Sequence, residues 1–325
     1  MLPAWRVPDD EDALTPLGAT LDRLIRPGPY DYSIDDVAAA AGMDVAIARR
    51  LWRAMGFPDP EPGHPIGTAT DVEAFRRAME QAVTERGVDR LVRQTRVISA
   101  SIARIAEVWV DDLREALDGG MTPDAFADML TEELDLDRLT WLLGYVHRHQ
   151  LHAAMRRELT ARGSGATGSM RAVGFADLVG FTELTQTTSA TDLALLIESF
   201  EGLVYDTIAR CGARLVKTIG DEVMFVADNV PSAVDVSLAL CRREGHPELP
   251  QLRIGLDAGR AFWFEGDLYG PAVNLASRVV ATADAGRIVA TTAVREAHPD
   301  GTSWTALPAQ DLKGFGPVEL WEVRC

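Results

Sequence analysis

Apolar and polar positions follow two different spacings along the chain, and the change between them falls near residue 165. From position 71 to 162, apolar side chains recur every three or four residues, a spacing that forms one apolar stripe along an α-helix. Beyond position 169, short apolar runs alternate with longer stretches of helical spacing. The sequence therefore predicts a mostly α-helical domain over 1–162, a glycine- and serine-rich linker over 163–169 and a second domain over 170–325.

In the second domain, short apolar runs indicate strands and longer stretches with helical spacing indicate helices. We predict helices and strands in the order strand, helix, hairpin, helix, strand, over 172–178, 192–210, 214–219 with 223–227, 231–242 and 252–257. Gly220 and Asp221 suit the tight turn of the hairpin. This order predicts an α+β fold, in which helices cover one face of a sheet that contains antiparallel strands.

The segment 32–53 has the pattern of a helix-turn-helix. Ser33 and Asp44 are the predicted N-caps, Gly42 the turn and Gly56 the stop signal. Three arginines on the second predicted helix make DNA binding an alternative to a structural role: Arg49, Arg50 and Arg53.

Composition and charge exclude several classes of protein. The 325 residues are 47% hydrophobic and 25% charged, which is typical of globular domains, and no apolar run has the length of a membrane span. We therefore expect a cytoplasmic protein with no membrane partner. The net charge of -17 makes nucleic acid an unlikely partner, because DNA binding depends on a surplus of basic residues.

Lysine is almost absent from the sequence. Of the 32 basic residues, only Lys217 and Lys313 are lysines. Arginine is a planar fork and lysine a compact point charge, so a site that needs the second cannot simply accept the first. Both lysines are therefore candidate functional residues.

Two aspartates stand where strands meet turns. Asp177 ends an apolar run and precedes a turn that contains Gly180, where backbone N–H groups can face an anion. Asp221 lies in the predicted hairpin turn. Mg²⁺ is often held by one or two carboxylates together with substrate phosphates, so this pair is a candidate site for a metal-nucleotide complex. Either aspartate alone is equally typical of an ordinary turn.

Three segments, at 175–182, 215–225 and 266–278, resemble signature segments of the class III nucleotidyl cyclases. The resemblance implies a ferredoxin-like catalytic domain over 170–325 that works as a homodimer with active sites at the interface. It also implies two Mg²⁺ or Mn²⁺ ions per active site. Their ligands would be the side chains of Asp177 and Asp221 and the carbonyl of Leu178.

The same resemblance implies the substrate and the residues that bind it. Lys217 and Asp267 match the pair that selects the base, and in this family Lys with Asp implies ATP. Adenine offers an acceptor at N1 and a donor at N6, which suit an ammonium and a carboxylate. Further matches are catalytic or substrate-binding: Asn274 for the ribose, Arg278 for the reacting phosphate, Lys313 for the triphosphate, and Phe181 and Thr182 in the turn after Asp177.

The first domain resembles, more weakly, the helical autoinhibitory domain of pH-responsive bacterial adenylate cyclases. Its end carries three of the six histidines, His147, His149 and His152, within a basic stretch. Protonation adds charge there, and we predict that it moves the junction helix and that activity rises on acidification. A solvated amphipathic linker is the alternative interpretation.

The sequence leaves two other functions open. One is a nucleotide-binding signalling protein or DNA-binding regulator whose cyclase-like domain is inactive. The other is a diguanylate cyclase, whose hairpin signature is similar to 219–223. Against these, the metal, base and phosphate positions of a mononucleotide cyclase are all occupied by matching residues.

Overall fold

A computed structural model describes residues 16–25, 28–80, 82, 85–163, 170–298 and 302–324. The chain divides into two compact units, 1–153 and 154–325. The unit boundary falls within a long helix, and residues 164–169 of the predicted linker lie outside the described residues.

The described part of the first unit is helical. Its helices are α1 (Pro16–Ile25), α2 (Ile34–Ala41), α3 (Val45–Ala54), α4 (Ala69–Glu80), α5 (Glu85–Asp118), α6 (Pro123–Glu133) and α7 (Leu136–Gly163), the last of which continues into the second unit. Helices α2, α3, α4 and α5 share one core, in which Ile34, Leu51 and Phe75 are buried. Burial of these side chains holds the helices together.

The predicted helix-turn-helix is confirmed. The Ser33 side chain accepts a bond from the Asp36 backbone N–H, and Asp44 caps α3 through the Ala46 N–H. Gly42 ends α2 in the left-handed conformation (φ 70°), which glycine adopts without steric cost.

Each arginine of the second helix has an acidic partner in the same unit. Arg49 pairs with Asp35 at 3.0 Å and Arg50 with Asp89 at 2.6 Å. Arg53 lies 3.8 Å from a third carboxylate, that of Asp59. Because these charges are already partly compensated, the helix offers little surplus charge for a phosphate backbone, and the DNA-binding alternative loses support.

The second unit contains every element that the sequence predicted. Its elements are β1 (Met170–Leu178), α8 (Phe181–Thr187), α9 (Ala190–Arg210), β2 (Arg214–Ile219), β3 (Glu222–Ala227), α10 (Val230–Arg242), β4 (Leu252–Arg260), β5 (Phe262–Phe264), β6 (Asp267–Tyr269), α11 (Pro271–Val279), β7 (Arg287–Thr291), α12 (Thr292–Ala297), β8 (Thr305–Ala306), β9 (Gln310–Leu312), β10 (Gly316–Val318) and β11 (Leu320–Arg324).

The main sheet has seven strands in the order β2-β3-β1-β4-β7-β11-β8. Strand β1 lies antiparallel between β3 and β4, whereas β4 and β7 are parallel. The order β2-β3-β1-β4, with α9 and α10 as the connecting helices, is the ferredoxin-like arrangement and confirms the predicted fold class.

Helices pack on both faces of this sheet, so the expectation of helices on one face was wrong. Ala176 and Leu178 of β1 point into the core formed with α9 and α10, and Val173 and Phe175 point to the other face. There they pack against α11. Successive side chains of a strand alternate between faces, and both faces of β1 are apolar, so both require a covering layer.

Within the described ranges, no helix combines the length and the apolar character that crossing a lipid bilayer requires.

Candidate active site

The two aspartates of the predicted metal site lie at the same end of neighbouring strands. Asp177 is the penultimate residue of β1, and Asp221 is in the turn between β2 and β3. The backbone N–H of Leu178 donates to the Asp221 carbonyl at 3.3 Å, which ties the end of β1 to this turn. In the β1–β3 ladder, Asp177 faces Glu222. The fold thus brings three carboxylates to one end of the central strands.

Negative charge is concentrated at this end. Burial raises the pKa of the Asp221 carboxyl, and the charge of Asp177 raises it further. Burial also raises the pKa of Glu222, with added repulsion from Asp177 and Asp221. Both pKa values are raised because neighbouring carboxylates repel each other at this partly buried end of the strands. A cation placed among them would relieve this repulsion.

Arg253 supplies one positive charge to the group. It faces Asp177 in the β1–β4 ladder, and its Nε donates to Asp177 Oδ2 at 2.5 Å. The sequence analysis missed both Arg253 and Glu222, because their relevance depends on which strands lie beside β1. The only sequence signal was their position at the ends of predicted strands.

The residues at this end fit a divalent cation. Two aspartate carboxylates and the Leu178 carbonyl are hard oxygen donors, the kind that Mg²⁺ and Mn²⁺ bind. Among the residues that the structure describes, no group of three or more His, Cys, Asp or Glu side chains converges as a metal cage. The arrangement therefore resembles a site that takes its remaining ligands from substrate phosphates and water.

The turn after Asp177 is held by backbone bonds. The Val179 N–H donates to the Gln251 carbonyl at 2.9 Å. Gly180 has φ 82°, in the left-handed region, and precedes α8. Phe181 is half-buried against the α9–α10 core, and Thr182 is exposed. The turn is thus fixed beside the end of β1 that carries Asp177.

The predicted base-selecting residues form an ion pair. Lys217 Nζ lies 2.5 Å from Asp267 Oδ2, and the Leu268 N–H donates to the other carboxylate oxygen at 2.8 Å. Lys217 is on β2 after a bulge in the β2–β3 ladder, and Asp267 begins β6. Both side chains are about one-third exposed, at 36% and 28%, so a ligand can reach them.

Asn274 and Arg278 share an exposed side of α11. They are four residues apart, which places them on neighbouring turns of the helix. Ala272 and Ala276 are buried on the opposite side and fix the helix against the sheet. Lys313 is exposed in the turn between β9 and β10.

Within one chain, the described residues form separate groups. Asp177 meets Asp221, and Lys217 meets Asp267. No hydrogen bond or ion pair in the described part of the chain joins these two pairs to each other or to the exposed Asn274, Arg278 and Lys313.

Both parts of the chain are similar to known protein families. Residues 169–323 match the family model of the adenylate and guanylate cyclase catalytic domain, and residues 11–159 match that of the adenylate cyclase regulatory domain. An adenylate cyclase of Streptomyces coelicolor is 37% identical over an alignment of 299 positions that covers 89% of this chain and 77% of that protein. The chain belongs to the class III adenylate and guanylate cyclases. This confirms the predicted family and enzyme class.

Two further comparisons concern the whole cyclase and its catalytic domain. The pH-sensitive adenylate cyclase MT1302 of Mycobacterium tuberculosis is 31% identical in an alignment that covers 98% of this chain and 84% of that protein. The crystal structure of the adenylyl cyclase CyaB from P. aeruginosa aligns with 48% of this chain and 94% of its own, at 23% identity and a TM-score of 0.44.

The three predicted regulatory histidines of the cyclase lie on α7, and all are exposed. The His149 ring contacts the Tyr145 ring at 4.5 Å between centroids, and Tyr145 stacks on Trp141 at 5.5 Å. His152 is one turn further along the helix and lies beside His149. His147 projects from a different side of α7, so the three do not form one cluster.

Proposed function

We propose that this cyclase converts ATP into 3′,5′-cyclic AMP and pyrophosphate. The observation that carries the choice of ATP is the ion pair between Lys217 and Asp267. An ammonium donates to adenine N1 and a carboxylate accepts from the adenine N6 amino group. Each of the two polar groups on this edge of adenine thus has its own side-chain partner.

Guanine is a poor match for the same pair. Guanine presents a donor at N1 and an acceptor at O6. Its N1 would therefore meet the Lys217 ammonium, which is also a donor, and its O6 would meet the Asp267 carboxylate, which is also an acceptor. Each buried polar group left without a partner costs about 1–3 kcal/mol. The pair therefore favours ATP over GTP through two mismatches that act together.

Asp177, Asp221 and the Leu178 carbonyl would hold the two Mg²⁺ or Mn²⁺ ions that the family implies. When bound, such ions lower the pKa of the attacking hydroxyl and neutralise the leaving phosphates. The mutual repulsion of the carboxylates around Asp221 supports this assignment, since it favours a cation at that position.

The remaining residues would bind and orient the substrate. The ribose 3′-oxygen forms a bond to the α-phosphorus, the bond from that phosphorus to pyrophosphate breaks, and the hydroxyl proton leaves to solvent. Asn274 would orient the ribose, and Arg278 would stabilise charge on the reacting phosphate. Lys313 and the turn at Phe181 and Thr182 would contact the triphosphate.

We propose a homodimer with shared active sites. Among the described residues of one chain, no hydrogen bond or ion pair joins the Asp177–Asp221 pair to the Lys217–Asp267 pair, which is compatible with a site completed by a second copy. Residues 1–162 would control this dimer, with 163–169 as the linker and His147, His149 and His152 as a pH-dependent element. Because ATP is the substrate, we place the reaction in the cytoplasm.

A product assay tests the proposal. The full chain is incubated with ATP or GTP and Mg²⁺ or Mn²⁺, and products are separated by chromatography, with Asp221→Asn as the inactive control. We expect cyclic AMP from ATP and far less cyclic GMP. Nucleotide binding without product would favour the inactive regulator, and a dinucleotide product from GTP would favour the diguanylate cyclase.

A further inference from the structure

Three arginines gather at the end of β1 opposite the metal-binding aspartates. Arg171 is at the start of β1, Arg214 is at the start of β2, and Arg157 is on α7 within the second unit. We call these three residues the arginine cluster. Asp228, just after β3, is the carboxylate to which Arg171 and Arg214 bond, and Arg157 lies near enough for its charge to act on Arg214.

One oxygen atom serves two of the guanidinium groups. Arg171 Nη1 and Arg214 Nη2 both donate to Asp228 Oδ1, the second at 3.2 Å. The arginine side chains are only 15% and 22% exposed, so water reaches them poorly. Two guanidinium groups thus share one carboxylate, and Arg157 adds a third positive charge nearby, so the positive charges of these four residues exceed the negative charge by two.

The cluster has unmet hydrogen-bonding capacity. Arg171 Nε is buried and has no acceptor among the described residues. A buried donor without a partner costs free energy, which an acceptor brought by a ligand would recover. Burial lowers the pKa of Arg214, and the charges of Arg157 and Arg171 lower it further while Asp228 opposes this. Positive charge is therefore undercompensated at this place.

An aromatic residue covers one side of the cluster. The Trp263 ring lies 5.0 Å from the Arg214 guanidinium, in a cation–π contact. Trp263 is on β5, the first strand of the hairpin that also carries Asp267. This contact orients Arg214 and gives the cluster an optical reporter.

We propose that the arginine cluster is a binding site for a phosphate dianion. Two negative charges match the excess of two positive charges, and tetrahedral oxygens match guanidinium forks, which bind phosphate in a bidentate manner. Asp228 acts as the internal competitor that the phosphate partly displaces. The dianion is either inorganic phosphate or part of pyrophosphate.

The site is separate from the proposed metal-binding aspartates, whereas Arg214 lies three residues before Lys217 on β2. Arg171 and Asp177 are six residues apart on one extended strand, which is about 20 Å. The inference does not depend on the proposed reaction. Arg157 is on α7, whereas Arg171 and Arg214 are at the starts of β1 and β2. A phosphate bound by all three would therefore link this part of α7 to the sheet.

Titration of the metal-free full chain tests the site. Inorganic phosphate and pyrophosphate are added in separate arms while tryptophan fluorescence and the thermal midpoint are followed, with chloride at equal ionic strength as the reference. We expect saturable phosphate binding with a Kd of about 1 mM or lower. Arg157→Gln should weaken it about tenfold, since one charged donor is lost. Trp263→Phe should remove the fluorescence change and leave the thermal shift.

Matched variants distinguish this site from nonspecific anion binding and from phosphate binding at Lys313. Arg156→Gln alters the exposed neighbouring arginine and should leave binding unchanged. Asp228→Asn removes the competitor, so phosphate should bind more tightly and restore the stability that the substitution costs. Lys313→Ala should also leave binding unchanged. A response no larger than that to chloride, or one abolished by Lys313→Ala and not by Arg157→Gln, overturns the proposal.

Discussion

The Nε atom of Arg253 lies 2.5 Å from the Oδ2 atom of Asp177, across the ladder between β4 and β1. The aspartate side chain is 12% exposed, whereas the arginine side chain is 40% exposed. A guanidinium thus occupies an oxygen that the proposed metal site needs. It also reduces the repulsion that Asp177 exerts on Asp221 and Glu222.

Arg253→Gln should have two effects of opposite sign. The metal-free protein should become less stable, because the carboxylates lose their cation. Mn²⁺ should bind about 5- to 10-fold more tightly, because a competing and repelling charge is gone. Thermal denaturation and a Mn²⁺ titration without nucleotide measure the two effects.

Arg287→Gln is the matched control. Arg287 also forms a partly buried ion pair, with Glu322 at 3.5 Å; it faces Arg253 in the β4–β7 ladder, and β4 separates its strand from that of Asp177. This variant should lose stability and keep the Mn²⁺ affinity. Weaker Mn²⁺ binding by Arg253→Gln would contradict the idea that Arg253 competes with the ion for Asp177. It would show instead that Arg253 holds the Asp177 side chain in place.

Mixing two inactive variants tests the shared site. Asp177→Asn alters the metal-binding group and Arg278→Ala the phosphate-stabilising group, and each alone should lose about 10²- to 10³-fold in rate. In a mixed dimer one of two sites is intact, so an equimolar mixture should recover about one quarter of wild-type activity. Asp177→Asn mixed with Asp221→Asn should recover none. Recovery in neither mixture would mean that each chain carries a complete site.

Exchange of the base-selecting pair should change the substrate. In Lys217→Glu with Asp267→Cys, the carboxylate accepts from guanine N1 and no longer matches adenine. With about 1–3 kcal/mol per mismatched group, the ratio of kcat/KM for ATP to that for GTP should fall at least about 100-fold. Steady-state rates with both nucleotides measure the ratio. An unchanged ratio would show that the pair does not contact the base.

Asp257 provides a stability prediction that depends on pH. It is 5% exposed on β4, and Thr291 Oγ1 donates to it at 2.6 Å. Burial raises the pKa of Asp257. Asp257→Asn should therefore raise the thermal midpoint at neutral pH by about 2–4 °C, because no charge is buried.

The stabilisation by Asp257→Asn should shrink as the pH falls through the folded-state pKa of Asp257. Aspartate binds its proton more readily in the folded protein than in the unfolded chain, so acid favours the wild-type fold until both forms are protonated. Melting curves from neutral to acidic pH measure this. Thr291→Val, which removes the donor, should destabilise throughout. A lower midpoint for Asp257→Asn at neutral pH would show that the hydrogen bonds of the charged carboxylate contribute more to stability than its burial costs.

Acidification should activate the full chain through the α7 histidines. Histidine is the side chain that most often acts as a switch near neutral pH, and these three lie on a helix that already carries Arg148, Arg156 and Arg157. The triple variant of His147, His149 and His152 to Ala should flatten the pH–activity profile, and His64→Ala should leave it unchanged. Coincident profiles of the triple variant and wild type would refute the switch.

Local signals in the sequence predicted the helix-turn-helix of the first unit and the elements of the second unit from β1 to β4, apart from α8. Ser33 and Asp44 cap helices through bonds to backbone groups two or three residues away, so their effect does not depend on distant parts of the chain. The strand bounds follow similarly from short apolar runs. The rarity of lysine and the places of two aspartates at turns marked Lys217, Lys313, Asp177 and Asp221 as candidates. Their individual roles, and the other site residues, were implied only by the match of three segments to a family.

Only the tertiary structure decided which of these residues meet. Asp177 and Arg253 are 76 positions apart, and Lys217 and Asp267 are 50 apart. Strand order and register bring each pair together, and these depend on the packing of two apolar sheet faces by α9, α10 and α11. The arginine cluster arises in the same way, from strand ends that are distant along the chain. Hydrophobic periodicity fixes local conformation, whereas long-range neighbours follow from how the whole core packs.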